Sequence, residues 1–459
     1  MAEPASVRSR PHRVAMITLH TSPTATLGHN ANGGLNVYVR ELCTQLSRRG
    51  VATDVFTRCL GPASDVPEVE ELAPLSRVVY LPAGPPQLDK YRLLGHVPEF
   101  TDAVQDFIER SGLRYDLIYS HYWLSGLIAC ALRHRLRLPW AHTAHTLALV
   151  KNRQLAPGDV PEPEIRVDLE GEIAHCADLL VVSTAAEGEE LRRAYHVAAH
   201  RLAVVSPGVD LETFRPQPKV LARQLVGHPD HRLFVFVGRL EPLKGVDVIL
   251  RAFARLIARG RHPEARVLVL GEDSRSPALD APVLAHYRWQ DGSGAASTDG
   301  DRGPGTGGEQ ARLRRLAGEL GIADRVHFLG SVAQSRLSTY YAAADACVMP
   351  SYSESFGLVG LEAQACGTAL IASNVAGLAS IVRDGVTGFL VDGHDPAAYT
   401  ACMRSVLEAP HLADELGRRG SRLAGGFSWD RTADRLLERF SDLAPRTDQV
   451  GVQATSRDE

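Results

Sequence analysis

Two short stretches carry groups that could manage a concentrated negative charge. "GRLEPLKG" sets Arg239 and Lys244 five residues apart, directly after a predicted strand. "ESFGLVGLE" sets Glu354 and Glu362 eight apart, flanking Gly357 at a predicted helix start. Two cations at the carboxyl end of a strand suit a polyanion bound at the crest of a parallel sheet. Far upstream, Gly33 and Gly34 separate a polar run from an amphipathic helix. Free N–H groups at a helix start attract phosphate, and glycine removes the Cβ that would hold backbone and phosphate apart. Taken singly, a solvated Arg/Lys pair, two surface acids and a tight Gly-Gly turn would explain each stretch. Their recurrence at three strand-to-helix junctions points to an anionic ligand. Neither a complete G-x-G-x-x-G nor a G-x-x-x-x-G-K-[ST] is present, so neither a dinucleotide fingerprint nor a P-loop is supported.

The elements that must position these groups follow from periodicity. "RVAMITLH" (Arg13–His20) is a short apolar run of the kind buried in a parallel sheet. Leu35, Val39, Leu42 and Leu46 then form one helical stripe, closed by Gly50. "VATDVFTR", "YDLIYSH", "PWAHTAH", "DLLVVST" and "RLAVVSPG" continue the strands of an α/β half. After a proline-rich hinge at Pro207–Pro218, a second alternation runs through "HRLFVFVGRL", "ARVLVLGE", "DRVHFLGS", "DACVMPS", "TALIAS" and "GFLVDG". A last helix lies in "SWDRTADRLLERFSDLA". "WQDGSGAASTDGDRGPGTGGEQ" (Trp289–Gln310) reads as a polar insertion, and residues 445–459 as a polar tail.

A chain of 459 residues is too long for one core and predicts two domains. The formal net charge of −4 gives no reason to expect a nucleic-acid partner. Seven cysteines without a C-x-x-C pair read as reduced thiols of a cytoplasmic protein, with Cys130, Cys176, Cys347 and Cys366 in the core. "MAEPASVRSRPHR" lacks the apolar segment of a signal peptide, and no stretch is apolar enough to span a membrane.

The E-x7-E of "SESFGLVGLEAQACGTALIAS", together with "GRLEPLKG", resembles the GT4 family of retaining glycosyltransferases. "HTSP…GGLNVYVREL", "SHYWLSG", "HTAHTLALVKN", "PEPE" and "VSPGVDLETF" are similar to its branch acting on D-inositol 3-phosphate at the start of mycothiol biosynthesis. Sucrose-phosphate synthases share much of that N-terminal pattern. The resemblance covers roughly residues 13–440. It implies the α/β GT-B fold, two Rossmann-like domains facing each other across a cleft. Residues 1–208 would bind the acceptor and residues 209–426 the nucleotide sugar. Residues 427–445 would form a helix crossing back to the N-terminal domain, with a disordered tail at 446–459.

The resemblance also assigns roles. Arg239 and Lys244 match the pair that clamps the donor diphosphate, Glu362 the acid on the ribose, and Glu354 the acid on the transferred sugar. The N–H groups around Gly357 and Leu358 would face the sugar and its phosphate. Val332 matches a uracil contact, and Gly34 the glycine that lets the N-terminal loop close on the diphosphate. Lys90, Tyr122, Thr146 and Arg166 match four contacts to an acceptor phosphate. His20 and Asn36 match groups at the inositol ring, and His145 the histidine beside the reacting sugar. The implied reaction moves N-acetylglucosamine or glucose from a UDP-sugar to a small phosphorylated acceptor. It needs no catalytic metal, with Mg²⁺ in a secondary role at most, and a homodimer is implied. The family's loop commonly reads Asp-Ala-Gly-Gly where this chain has Ala31-Asn32-Gly33-Gly34. Fructose 6-phosphate, a lipid acceptor met through the basic "RHRLRLPW" (Arg133–Trp140), and a non-catalytic nucleotide-sugar binder are the alternatives.

Overall fold

The computed structural model describes residues 10–25, 33–61, 66–273 and 308–443. Ala31, Asn32, nearly all of the 289–310 insertion and the C-terminal tail lie outside the described residues. Strands β1 (Arg13–Ile17), β2 (Ala52–Arg58), β3 (Val69–Ala73), β4 (Ser76–Leu81), β5 (Leu117–His121), β6 (Trp140–Thr143), β7 (Leu179–Val182) and β8 (Leu202–Val204) form the first sheet. Its order is β3-β4-β2-β1-β5-β6-β7-β8, parallel except for the β3–β4 edge pair. The second sheet holds β9 (Arg232–Val237), β10 (Ala265–Leu270), β11 (Val326–Gly330), β12 (Ala346–Met349), β13 (Ala369–Ser373) and β14 (Gly388–Val391). Its order, β11-β10-β9-β12-β13-β14, is that of a doubly wound nucleotide-binding sheet. Each sheet reverses its strand order once, between β1 and β5 and between β9 and β12. Ligands of such sheets bind outside the carboxyl ends at that reversal.

The strands form where they do because they are buried on both faces. Val14, Met16 and Ile17 are fully buried, as are Phe234, Val235 and Phe236. The helix Gly34–Arg48 covers the first sheet with Val39, Leu42 and Leu46, and Gly50, at φ +78°, carries its chain exit. The helix Val246–Ile257 buries Val246, Ile249, Leu250, Phe253 and Leu256, one apolar stripe that covers the second sheet. Each such side chain stabilises the fold by about 1.5–3 kcal/mol.

The helix Trp429–Leu443 leaves the second half and packs Trp429, Ala433, Leu436, Leu437 and Phe440 onto the core of the first. Arg49 of the first half meets Asp434 at 2.7 Å and Asp430 at 3.3 Å. The linker is held too: Val209 N–H donates to the Phe427 carbonyl, and a Cβ on Gly208 would stand 2.2 Å from the Trp429 nitrogen.

One reading needs adjusting. Cys347 and Cys366 are buried, but Cys130 and Cys176 are half-buried; all seven cysteines are free thiols. Cys130 and Cys176 face each other on the adjacent helices Trp123–Leu136 and Glu164–Cys176. The basic "RHRLRLPW" stretch ends a helix whose arginines have acidic partners: Arg133 meets Asp178 and Arg135 meets Asp102, each at 2.6 Å.

Candidate active site

The C-terminal half presents its charged groups just past β9 and β12. Lys244 ends the single turn Pro242–Lys244, and its Nζ lies 2.7 Å from Glu354 Oε2. Gly245 makes this possible: at φ +67°, a Cβ there would stand 2.3 Å from the Pro350 carbonyl oxygen. Arg239 is more exposed and pairs with Glu241 at 2.8 Å. Gly357 caps the helix Leu358–Ala365 at φ +94°, where a Cβ would also strike Leu378 at 2.6 Å. Glu362 is buried in that helix and accepts a hydrogen bond from the Tyr341 hydroxyl at 3.0 Å. Burial pushes its carboxyl up to about 7, against the pull of Tyr341, Gln334 and Arg40. Val332 lies half-buried against the apolar cluster below β11.

The N-terminal half converges on a buried guanidinium. Arg166 is 1% exposed. It bonds Glu170 at 2.7 Å, Glu162 at 3.0 Å and the Thr146 hydroxyl at 3.0 Å, and lies 4.9 Å from the centre of the Tyr122 ring. Lys90 Nζ reaches both oxygens of Glu162 at 3.1 Å. Tyr122 and His145 hold positive φ, +75° and +60°, immediately after β5 and β6. Non-glycine residues cost energy in that region, so the surrounding structure must impose it. Burial would raise the Tyr122 phenol, but Arg166 and Lys90 outweigh it and hold the phenol below its usual value.

Three imidazoles line the floor. His121 Nδ1 and His145 Nε2 are 3.1 Å apart, and the His20 ring is 4.5 Å from that of Tyr122. Burial lowers His145 to about 3. His20 falls to about 3 through burial and then the charges of Lys90, His145, Arg166 and Arg239. Both rings are neutral near pH 7. His20 thus stands within electrostatic reach of cations from both halves.

The halves touch where the sequence placed its glycines and its acid pair. A Cβ on Gly34 would lie 3.3 Å from Leu358, whereas Gly33 faces open space. The Ser355 hydroxyl donates to the His145 carbonyl across the cleft. The Asn36 amide is engaged by its own loop, donating to the Thr21 hydroxyl at 2.6 Å and accepting from Gly33 N–H at 3.1 Å. That loop brace is where the structure puts a residue expected at the acceptor ring.

Sequence reasoning missed the carboxylates around Arg166. Glu162 and Glu170 stand four residues before and after it, the spacing of one helical face. It also missed Lys151, whose Nζ lies 2.8 Å from Glu162. Glu162 thereby serves three cations at once. The i±4 pattern was readable; the Lys151 contact depends on how the segment before the helix Glu164–Cys176 folds back onto the helix Ala148–Arg153.

The sequence model of the family described as Glycosyl transferases group 1 matches residues 221–423, and that of the Glycosyl transferase 4-like domain matches residues 33–208. D-inositol 3-phosphate glycosyltransferase 2 of Catenulispora acidiphila is 42% identical over 95% of this chain and 96% of its own. The solved structure of sucrose-phosphate synthase from Thermosynechococcus elongatus has a TM-score of 0.80 and 32% identity, over 94% of this chain and 99% of that one. HepE of Anabaena, solved in complex with UDP-glucose, shares the fold with a TM-score of 0.68 at 17% identity, over 94% and 100% of the two chains.

Proposed function

The chain belongs to the group 1 glycosyl transferases and is a GT-B glycosyltransferase, and we propose that it moves N-acetylglucosamine from a UDP-sugar to 1D-myo-inositol 3-phosphate with retention of configuration. In this reading Arg239 and Lys244 hold the donor diphosphate, assisted by the N–H groups at Gly357 and Leu358. Glu362 accepts from the ribose hydroxyls, Glu354 from the sugar, and Val332 lies at the uracil. Gly34 leaves room for the phosphates where the halves meet. Lys90, Tyr122, Thr146 and Arg166 take the acceptor phosphate, with His20 and Asn36 at the ring.

The chemistry then needs little beyond placement and charge. As the bond between the sugar and the diphosphate lengthens, negative charge grows on the departing oxygen. Arg239 and Lys244 are fixed beside it and stabilise that charge without reorganising. The acceptor hydroxyl attacks from the same face, and the leaving diphosphate takes its proton. His145, neutral, can bond a sugar hydroxyl without adding a charge that opposes the developing oxocarbenium. Any Mg²⁺ would be secondary to these cations.

The observation that carries the proposal is the Arg166 cluster of the N-terminal half: a buried guanidinium that bonds the Thr146 hydroxyl and lies over the Tyr122 ring, with Lys90 beside it on the shared carboxylate Glu162. It is a set suited to a phosphate monoester. The likeness to a sucrose-phosphate synthase at 32% identity favours one second reading, fructose 6-phosphate as acceptor with glucose as the sugar. A mass-spectrometric screen of UDP-N-acetylglucosamine and UDP-glucose against inositol 3-phosphate and fructose 6-phosphate separates them. Product only from UDP-N-acetylglucosamine with inositol 3-phosphate is the expected result. Product only from UDP-glucose with fructose 6-phosphate would replace this reading with the second.

A further inference from the structure

Arg40 lies on the helix Gly34–Arg48 of the N-terminal half, yet its Nη2 donates to Gln334 Oε1 in the C-terminal half. Gln334 opens the helix Gln334–Ala343 seven residues before Tyr341, on the same face, and Tyr341 bonds Glu362, so the Gln334 side chain lies on the side of that carboxylate and favours its ionised form. Because Gln334 turns its oxygen to Arg40, its NH₂ is the group left to face the carboxylate, so the amide is polarised in one direction. The other groups bearing on Glu362 are the Tyr341 hydroxyl and the thiols of Cys347 and Cys366, all neutral at pH 7. Arg40 is therefore the cation that acts on it, and it comes from the opposite domain. Arg40 is shared with Glu41, at 3.3 Å from both Nε and Nη2, and Glu41 is itself faced by Asp210 and Arg48.

We propose that Arg40 is a positioning residue that, through Gln334, makes Glu362 a competent acceptor for the donor's ribose only while the two halves are apposed. The inference rests on the reading of Glu362 as the ribose ligand. A ribose hydroxyl donates best to a carboxylate, and a protonated carboxyl offers a competing donor instead. Burial works against the carboxylate at this site. The field of Arg40 and the oriented Gln334 amide work for it, and both depend on contact between the domains. If the halves part, the cation leaves and Gln334 is free to turn. Donor affinity is thereby tied to the seating of the acceptor domain by a side chain that need not touch the donor.

The test is calorimetric titration of the full-length protein with UDP-glucose between about pH 6 and 9, a range in which that ligand's diphosphate does not titrate. The parent should bind more tightly as pH rises through Glu362's titration. Glu362→Gln should weaken binding and flatten this profile. Arg40→Met should weaken binding roughly two- to sixfold near pH 7 and move the inflection up by roughly half to one pH unit. Arg40→Lys should recover part of both. An Arg40→Met variant that keeps the inflection in place, whether its affinity is unchanged or reduced equally at every pH, overturns the proposal while Glu362→Gln still flattens the profile. A Glu362→Gln variant indistinguishable from the parent overturns the ribose reading instead, and this inference with it.

Discussion

Lys244 and Glu354 show why single contacts in this cleft contribute unequally to stability and to rate. Their pair is partly exposed, with side chains 20% and 17% accessible, and such pairs contribute about 1 kcal/mol or less to folding. Beside a departing diphosphate, the same ammonium would stabilise the transition state by on the order of 3 kcal/mol. Lys244→Ala should therefore lower kcat/KM by roughly a hundredfold while the melting temperature stays within a few degrees of the parent. Comparable turnover in the purified variant would sink the donor-site assignment. Glu362 presents the opposite balance. Its folded carboxyl sits at about 7, above its ordinary 4.5, so the folded state binds the proton more tightly than the unfolded one. Stability falls as pH rises from about 4.5 to 7 and is flat beyond. Glu362→Gln should thus stabilise the ligand-free protein by about 1–3 kcal/mol at pH 8, with the gain shrinking toward pH 4.5. Urea denaturation at the two pH values measures this, and a gain that grows on acidification would contradict it.

At the scale of elements, most strands could be read from sequence because burial on both faces makes them uninterrupted apolar runs. The edge strand β3 and its neighbour β4 were not read. Val69–Ala73 exposes Glu70 and Glu71 and has no apolar face to recognise, and the hairpin interrupts the strand–helix alternation. The Gly34 junction was legible as a site of close approach. What approaches it within the protein, Leu358 from the other half, depends on tertiary packing that no local pattern encodes. The C-terminal helix illustrates which of its contacts matter. Phe440 is 1% exposed and stands edge-on to Tyr119 with ring centres 5.1 Å apart. Phe440→Ala should cost about 3–5 kcal/mol. Arg49→Ala, which removes pairs to exposed Asp430 and Asp434 and hydrogen bonds to Gln45 and the Asp430 carbonyl, should cost less, about 1 kcal/mol. Chemical denaturation of both variants decides the order; a larger loss for Arg49→Ala would mean that ion pairs, not packing, hold this helix.

For the whole molecule, the site is a property of two halves that are each built around their own sheet and that, among the described residues, meet through contacts such as Ser355–His145 and Arg40–Gln334 and through the returning helix. The C-terminal half's charges were visible in the sequence as motifs, whereas the N-terminal cluster was visible only in part, without Glu162, Glu170 and Lys151. Their mutual reach, with Arg239 and Arg166 both bearing on His20, was not, because it arises from how two sheets face each other. The structure also decides how to test the acceptor site. Arg166 is the cation paired with buried Glu170 and one of three on buried Glu162, and removing it would leave Glu170 uncompensated at a cost of several kcal/mol. Lys90 is the better probe: its side chain is 28% exposed, and Glu162 keeps Lys151 and Arg166 when it is gone. The decisive measurement is kcat/KM for inositol 3-phosphate and for free inositol, with the same UDP-sugar, in the parent and in Lys90→Met. A charged hydrogen bond contributes roughly 1.5–3 kcal/mol. The parent should therefore favour the phosphorylated acceptor by roughly a hundredfold or more, and Lys90→Met should narrow that preference by about tenfold, with UDP binding within a few-fold of the parent. Equal use of the two acceptors by the parent would contradict the central claim, that the N-terminal half recognises a phosphate carried by the acceptor.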